Sequence, residues 1–306
     1  MSFSVVGIGE VLWDLLPSGP QLGGAPANFA YHAHALGADA AVITRVGDDE
    51  LGRGILDRFR KMSLPLSSVQ VDTLSPTGTA SVTLNEAGIP RFHLQENVAW
   101  DRLVVTEQLL EVVQNAHAIC FGSLAQRSAV ARATIQRLLA AAPSDVLRIF
   151  DVNLRGNFYS RELVDQSLTL ANVLKLNSDE LPILAEMFSI HGTHRTQIQS
   201  LAEMFQLKCV ALTCGDRGSF IYAGGVWSEQ LPKPTPVVDT IGAGDSFTAA
   251  LAMGLLAGMR LEEIHTFANE VAAFVCSQPG ATPALPRDFR NRCQVLPLAV
   301  PPRSLE

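Results

Sequence analysis

The chain alternates short, wholly apolar runs with longer segments in which apolar residues recur every three or four positions. From residue 107 onward the alternation is regular, and the runs "HAICFGS", "VLRIFDVN" and "NVLKLN" are separated by such periodic segments. Short apolar runs indicate strands buried on both faces, and the longer periodic segments indicate helices. This pattern predicts an α/β fold, with a mostly parallel central sheet covered by helices on both faces.

Two segments, residues 10–22 and 77–95, do not fit this alternation. The second contains "TASVTLNEAG" and "IPRFHLQE", two strand-like runs joined around "NEAG", which is a hairpin signal. We expect these segments to form a small β lid on a single domain spanning residues 1–306. In open parallel sheets the ligand crevice lies beyond the carboxyl ends of the strands, where such a lid would lie. The Pro-rich residues 297–306 are expected to form a loosely ordered tail.

The stretch "VVDTIGAGDSF", residues 237–247, has the pattern of an anion-binding turn. It predicts a strand ending at Asp239, a glycine-rich turn at residues 242–244, and a helix beginning near Asp245. Free N–H groups and the dipole at a helix N-terminus bind phosphoryl groups, and glycine lets the backbone approach them. Asp245 could accept the proton of a hydroxyl that attacks such a phosphoryl group, and we expect the dipole to lower its pKa. The alternative is that Asp245 only stabilises its own helix.

The composition of the 306-residue chain is that of a protein with a large buried core, since 47% of its residues are hydrophobic and 17% are charged. Its net charge is −7 and its Lys and Arg residues are not clustered, so nucleic-acid binding is not expected. The N-terminal residues show neither a secretion signal nor a membrane span. The five cysteines include no C-x-x-C pair and are typical of buried thiols in a reducing compartment. These features predict a cytoplasmic protein.

Motifs of several other enzyme classes are absent from the sequence. There is no G-x-x-x-x-G-K-[ST] motif of P-loop NTPases, no H-E-x-x-H and no G-x-S-x-G. The run "GIGEVL" lacks the third glycine of the dinucleotide-binding fingerprint, which argues against a nicotinamide-dependent dehydrogenase. The seven histidines are scattered, and His32 and His34 cannot share a helix face, so a metal cluster is not expected.

Two glycine-rich motifs resemble the paired signatures of the ribokinase-like (PfkB) carbohydrate kinases. "GGAPANFAYHAHALG" is similar to the N-terminal signature and "DTIGAGDSF" to the C-terminal one, about two hundred residues later. The stretches "RVGDDELGRGI", "FDVNLRGNF", "KLNSDEL" and "LTCGDRGS" also match in kind and order, so the resemblance covers residues 3–290. It implies a ribokinase-like three-layer α/β/α fold with a small β lid. It also implies ATP as the phosphoryl donor, Mg²⁺ as a cofactor and a small sugar as the acceptor.

The resemblance assigns roles at the sugar end of the site. Asp14 matches the acid that hydrogen-bonds sugar hydroxyls, and Gly23, Gly24 and Asn28 match further substrate contacts. Asp245 matches the catalytic base that also contacts the substrate. The anion hole beside it comprises Gly242, Ala243 and Gly244. Taken alone, the glycine pair with Asn28 would indicate only a turn and a helix start, and Asp14 only a surface acid.

The resemblance also assigns roles to residues at the nucleotide end of the site. Asn177 and Glu180 match an N-x-x-E element that holds Mg²⁺ and its waters near the phosphates, with Glu180 acting through water. The same spacing is that of a capping box, and the two roles are compatible. The other residues matched to the nucleotide site are Asn153, Thr213, Gly215, Gly218, Gly242, Gly244 and, near the adenine, Asn269. Asp239 and the backbone of Ile241 match a monovalent-cation site of several relatives, so the sequence permits bound K⁺.

A few residues bear on which sugar is bound. "GGAPAN" and "DVNLR" are similar to the forms found in fructokinases, so phosphorylation of fructose is expected. Glu96 stands where fructokinase-like chains often carry a substrate-contacting Arg. This change removes a cationic donor and favours a neutral polyol over an anionic one. Ribose, tagatose, 2-keto-3-deoxygluconate and nucleosides remain open as substrates, as does a non-catalytic sugar sensor. A homodimer that pairs exposed lid sheets is a further hypothesis.

Overall fold

The computed structural model describes residues 2–16, 19–84 and 90–294. Within these residues most of the short apolar runs are strands, as the hydrophobic pattern predicts. The strands are β1 (Ser4–Ile8), β2 (Leu12–Leu16), β3 (Gly19–Gly23), β4 (Asp39–Gly47), β5 (Val69–Asp72), β6 (Gly78–Leu84), β7 (Pro90–Leu94), β8 (Ala118–Phe121), β9 (Leu147–Asp151), β10 (Val173–Asn177), β11 (Cys209–Thr213), β12 (Ser219–Ala223) and β13 (Val226–Gln230).

The longer periodic segments are helices. These are α1 (Ala25–Ala35), α2 (Glu50–Lys61), α3 (Glu107–Gln114), α4 (Ala129–Ala141), α5 (Arg161–Leu170), α6 (Glu180–Met187), α7 (His194–Met204), α8 (Ala243–Leu256), α9 (Leu261–Cys276) and α10 (Arg287–Gln294). Several begin at a side chain that accepts a hydrogen bond from a backbone N–H of the first turn, which satisfies a donor that the helix leaves free. These N-cap residues are Asp49, Thr106, Ser128, Ser160 and Thr193.

The main sheet confirms the predicted α/β class. In the described part of the chain its strand order is β13-β12-β11-β10-β9-β8-β1-β4-β5. All neighbours from β11 to β5 pair in parallel, and β12 and β13 add an antiparallel edge. Parallel neighbours need crossover connections, and helices such as α4 and α5 supply them.

The core lies on both faces of this sheet, because alternate strand residues point to opposite sides. Val6, Ile8 and Phe121 belong to a buried cluster with α3 to α7. Val5 and Cys120, on the same two strands, belong to a second cluster with α1, α2, α8 and α9. The arrangement is therefore helix layer, sheet and helix layer, as expected.

The two segments predicted to form the lid contain a separate sheet with strand order β3-β2-β6-β7, and its role as a lid stays a prediction. Strands β2 and β6 pair in parallel, while β2–β3 and β6–β7 pair antiparallel. The hairpin turn around residues 85–89 and the tail at 297–306 lie outside the described residues, and the single-domain assignment stays a prediction.

The predicted strand ending at Asp239 is wrong. The backbone of residues 231–240 is irregular, and Val237 and Val238 are 66% and 62% exposed. An apolar run indicates a buried strand only when a neighbouring strand and a core receive it, and here the run lies at the surface. Strand β5 and helix α10 were not predicted, because one is short and the other strongly polar. Among the described residues, no helix is both long and apolar enough to cross a membrane.

Candidate active site

The glycine-rich turn forms the N-terminus of α8. Gly242 is the N-cap and has φ 77°, in the left-handed region that favours glycine, and a Cβ there would lie 2.8 Å from Cα of Ala281. A Cβ on Gly244 would lie 2.9 Å from Nζ of Lys175. Gly242 is thus required by its φ and by contact with backbone atoms, whereas at Gly244 a Cβ would displace the end of the Lys175 side chain. The N–H of Ala243 donates to the Thr240 carbonyl at 3.3 Å, so Ala243 is already engaged within the turn.

Asp245, the predicted base, lies in the first turn of α8 and is held by Asn28 of α1. Nδ2 of Asn28 donates to Oδ2 of Asp245 at 2.8 Å, across 217 positions of sequence. Asn28 is 4% exposed, and its Oδ1 has no hydrogen-bond partner among the described residues. The two signature motifs therefore meet at this contact, with a buried acceptor atom beside the carboxylate.

The pKa of Asp245 is raised, whereas the sequence analysis predicts that the helix dipole lowers it. Burial raises it to about 6, with a further increase from the nearby Asp151 carboxylate, while Asn28, Lys175 and Arg155 act in the other direction. The predicted lowering is wrong, because loss of hydration and a like charge outweigh the partial charge of a helix end. A carboxylate with a pKa of about 6 is ionised at neutral pH and is a better proton acceptor than an ordinary Asp.

Asp14 lies in lid strand β2, next to the glycine pair. Its carboxylate lies against Gly23, so closely that a Cβ on Gly23 would collide with it. Gly24 has φ 114°, and a Cβ there would lie 2.5 Å from the Glu10 carbonyl oxygen. Burial raises the pKa of Asp14, and Arg155 partly offsets this effect. The structure thus brings the predicted sugar-end residues of β2, β3 and α1 together.

Glu10 is a site residue that the sequence analysis missed. It is 2% exposed, and its Oε2 has no hydrogen-bond partner among the described residues. Burial raises its pKa to about 7; backbone N–H groups and Arg155 oppose the increase, and Asp245 adds to it. An acid inside the apolar run "GIGEVLW" was the signal that could have identified it, because a carboxyl group is rarely buried without a partner or a function.

Lys175 is the second missed residue, and it lies directly beneath the glycine turn. Its Nζ is 3.0 Å from Oδ1 of Asp151, and both side chains are buried. Oδ2 of Asp151 accepts a hydrogen bond from Oγ1 of Thr248 in α8 at 2.9 Å. Burial alone would lower the pKa of Lys175, but the carboxylates of Asp151, Glu180 and Asp245 raise it. The signal in the sequence was a lysine within the buried strand "VLKLN".

Asn177 and Glu180 form the reciprocal contacts of the predicted capping box. Oδ1 of Asn177 accepts from the Glu180 N–H at 2.9 Å, and Oε2 of Glu180 accepts from the Asn177 N–H at 2.8 Å. Oε1 of Glu180 accepts from the Leu154 N–H at 3.0 Å, next to Asn153, whose φ is 42°. Burial raises the pKa of Glu180, with Lys175 as the main opposing charge. A buried carboxylate is therefore fixed where β9 and β10 end.

The predicted nucleotide loop follows β11. Gly215 has φ 59° and open space around its Cβ position, whereas a Cβ on Gly218 would collide with the Gln230 backbone. Gly215 thus presents bare backbone, and Gly218 serves packing. Oγ1 of Thr213 donates to the Leu176 carbonyl at 3.5 Å. The amide of Asn269 is engaged on both sides, accepting from Ser219 at 2.8 Å and donating to Gln230 at 3.2 Å.

The carboxylate of Asp239 links two backbone segments through hydrogen bonds. Its Oδ1 accepts from the Ile241 N–H and its Oδ2 from the Gly280 N–H, each at 3.0 Å. These bonds hold the segment before the turn against residues 277–283. Among the described residues, no group of three or more His, Cys, Asp or Glu is arranged to hold a metal ion. The monovalent-cation site at Asp239 and Ile241 stays a prediction.

Comparison with known proteins agrees with this geometry. The family model described as "pfkB family carbohydrate kinase" matches residues 20–288. Fructokinase-1 of Oryza sativa subsp. japonica is 30% identical, over 93% of this chain and 95% of its own length. The crystal structure of a sugar kinase from Pyrococcus horikoshii in complex with ATP has a TM-score of 0.78 and 27% identity, covering 91% of this chain and 94% of that chain.

A third likeness concerns the fold alone. The 2-dehydro-3-deoxygluconokinase of Thermotoga maritima has a TM-score of 0.83 at 18% identity, with coverage of 96% of this chain and 98% of that chain. The ribokinase-like fold expected from the sequence is therefore confirmed. Since the family model spans most of the sequence, the chain belongs to the pfkB family of carbohydrate kinases.

Proposed function

We propose that this kinase transfers the γ-phosphoryl group of ATP to a hydroxyl of a small neutral sugar, with fructose as the preferred acceptor. The observation that carries the proposal is the contact between Asn28 and Asp245 at the open N-terminus of α8. This contact joins a buried amide suited to sugar hydroxyls with a carboxylate suited to accept a proton. The adjoining helix end is suited to bind a phosphoryl group.

In the proposed reaction Asp245 accepts a hydrogen bond from the attacking hydroxyl and takes its proton as the phosphoryl group is transferred. Asn28 holds the carboxylate at a fixed angle through Nδ2. The N–H of Ala243 is bonded to Thr240, so the N–H groups of Gly244 and Asp245 in the first turn of α8 would stabilise the charge of the transferred group. The lid strands β2 and β6 exclude water from the sugar, which limits the hydrolysis of ATP.

The proposal that ATP and Mg²⁺ bind is supported by the fit of the nucleotide-end residues. Gly215 offers backbone without a side chain, and open space surrounds its Cβ position. Thr213, Gly218 and Asn269 would line the same end, and Asn153 with Asn177 and the buried Glu180 would hold Mg²⁺ through water. When bound, Mg²⁺-ATP supplies the phosphoryl group and neutralises part of its charge. The relative from Pyrococcus horikoshii has been solved with ATP.

A preference for a neutral polyol as substrate is supported by the many hydrogen-bond acceptors at the sugar end of the site. Oε2 of Glu10 and Oδ1 of Asn28 are buried acceptors without partners among the described residues. The carboxylate of Asp14 adds further acceptor oxygens. Hydroxyl groups can donate to all of these atoms. Arg155 is the cation that acts on these acids, and the carboxylates of Glu10, Asp14 and Asp245 outnumber it, so a substrate carboxylate is disfavoured. Glu96, exposed beyond β7, adds no cation. The fructokinase name of the Oryza relative favours fructose among neutral sugars.

We expect activity to fall in acid as Asp245 becomes protonated. Its pKa is raised to about 6, so the carboxylate is present above that pH and lost below it. The kcat/KM for the sugar should therefore decrease about tenfold per pH unit below about pH 6. A pH profile between 4.5 and about 8, at constant ionic strength, measures this limb. A limb near the ordinary pKa of Asp would contradict the role of burial.

Gly242→Ala is expected to lower kcat about a hundredfold, because the turn would have to move. Its φ of 77° strains any residue with a Cβ, and that Cβ would collide with Ala281. Displacing transition-state donors by about 1 Å costs on the order of 100-fold in rate. Steady-state kinetics tests this, with Gly225→Ala as the control, since Gly225 also has positive φ but open space around its Cβ position. Equal losses in both variants would refute a special role for the turn.

Sugar-dependent release of ADP is the experiment that tests the proposed function. A coupled assay with Mg²⁺-ATP should be run with fructose, ribose, tagatose, 2-keto-3-deoxygluconate and inosine. The proposal expects turnover with fructose, slower turnover with other neutral sugars and none above background with 2-keto-3-deoxygluconate. Preference for the sugar acid would overturn the neutral-polyol assignment.

A non-catalytic sensor is the alternative from another functional class. It would bind sugar or nucleotide in calorimetry without ADP release from any member of the panel. The retained Asp245, glycine turn and N-x-x-E element favour the kinase. Activation by K⁺ and a homodimer through the lid stay predictions, to be tested by replacing K⁺ with Na⁺ and by light scattering.

A further inference from the structure

His32 of α1 is a buried histidine that the proposed chemistry does not use. Its side chain is 0% exposed, and Nε2 lies 2.9 Å from the Ala281 carbonyl oxygen. Burial lowers the pKa of His32 to about 4, so the ring is neutral at physiological pH. Because a carbonyl only accepts, we assign the ring proton to Nε2, which donates to Ala281.

The residue that accepts this bond packs against the anion-binding turn. Ala281 lies in residues 277–283, here named the support loop. Cα and Cβ of Ala281 lie 2.8 and 2.9 Å from the Cβ position of Gly242. The N–H of the adjacent Gly280 donates to Asp239 at 3.0 Å, just before the turn. The position of the turn is therefore set by the support loop behind it.

Helix α1 holds the support loop at a second point as well. The hydroxyl of Tyr31 donates to the Pro283 carbonyl at 3.1 Å. One turn before His32 on the same helix, Asn28 donates to Asp245. The helix that carries the sugar-binding amide thus contacts both the catalytic carboxylate and the loop beneath the phosphoryl-binding turn.

We propose that His32, assisted by Tyr31, is a positioning residue for phosphoryl transfer, because it fixes the support loop and with it the Gly242 turn relative to Asn28 and Asp245. This inference rests on the proposed kinase function. Without the His32 bond, the buried Ala281 carbonyl loses its partner and the loop can shift, whereas Asn28 keeps its own contact with Asp245. Removal of the His32 bond should therefore lower kcat and leave the KM for the sugar nearly unchanged.

Three variants at two positions of α1 test this role. His32→Leu removes the donor but keeps an apolar side chain, and we expect kcat to fall about 30-fold with the KM for fructose within about threefold. His32→Gln retains an N–H donor and should restore kcat to within about fivefold of the wild type. His34→Ala is the matched control, since the ring of His34 is hydrogen-bonded to the Ala38 carbonyl near the end of its own helix, at 3.3 Å, and kcat should stay within about twofold.

A histidine that merely fills space predicts other results. In that case His32→Leu keeps kcat within about threefold while lowering Tm, or His32→Gln is no better than His32→Leu, and either result overturns the proposal. If His32→Leu does not fold, the Tyr31→Phe variant tests the positioning role instead, because it removes only the hydroxyl bound to Pro283. We expect its kcat to fall about fivefold, and an unchanged kcat would overturn the positioning role.

The outcome can be separated from failure of the proposed function. If the wild-type protein releases no ADP with any sugar, the kinase proposal fails. The positioning role is then decided by calorimetric binding of the non-hydrolysable analogue AMP-PNP with Mg²⁺. Because the Gly242 turn would contact its phosphates, His32→Leu should weaken binding at least about fivefold and His34→Ala should not. Equal affinity in wild type and His32→Leu would overturn the role.

Discussion

Asp245→Asn is expected to lower kcat by at least about a thousandfold while leaving the affinity for ATP within about threefold. The Asn oxygen can still accept the hydrogen bond from Asn28, so the geometry of α1 and α8 should persist. What is lost is the group whose pKa, raised to about 6 by burial, allows it to take the hydroxyl proton. Steady-state kinetics with fructose and calorimetry with AMP-PNP measure the two quantities separately.

Asp39→Asn is the matched control for this variant. Asp39 is an exposed acid at the start of β4, and its replacement should leave kcat unchanged. Retention of more than about a tenth of the wild-type kcat by Asp245→Asn corresponds to less than about 1.4 kcal/mol of transition-state stabilisation. Such a result would show that Asp245 is not the base.

Lys175→Met is expected to reduce the free energy of unfolding by about 3–5 kcal/mol, because it leaves Asp151 ionised and unpaired in the interior. Lys175 and Asp151 are both buried, and their charged atoms are 3.0 Å apart. The same change removes a positive charge that holds down the pKa of Asp245, so the acid limb of kcat/KM should move to higher pH. Urea denaturation and the pH profile are the two measurements.

The double variant Asp151→Asn with Lys175→Met supplies the control for that experiment. Removing both charges avoids an unpaired buried ion, so most of the lost stability should return. The acid limb should also return toward lower pH, because the Asp151 charge that raises the pKa of Asp245 is gone. Equal destabilisation in the single and double variants would contradict the ion-pair explanation.

Much of the fold follows from local patterns in the sequence. Runs such as "HAICFGS" are apolar throughout because parallel strands are covered on both faces, and β8 lies in the middle of the sheet as such a run predicts. The run ending at Asp239 has the same appearance but lies at the surface. Periodicity reports which residues avoid water and not which neighbours cover them, so this error could not be detected locally.

Some residues of the candidate site could likewise be identified from the sequence, and others could not. Gly242 and Asp245 could be identified from the sequence, because a tight turn before a helix demands glycine and determines where N–H groups are free. Asp14 and Asn28 were assigned through resemblance, and the structure adds their contacts with Gly23 and Asp245. Glu10 and Lys175 were missed, since their roles arise from groups distant in the sequence.

Local patterns in the sequence predict most of the strands and helices, the segments of the small sheet and the glycine turn, because each depends on hydrophobic spacing or on backbone freedom within a few residues. The raised pKa of Asp245, the Lys175–Asp151 pair beneath the turn and the contact of His32 with Ala281 follow from the three-dimensional arrangement. Each of these depends on burial and on charges brought together over long sequence separations. Electrostatic and desolvation energies depend on distance in space, which no local pattern records.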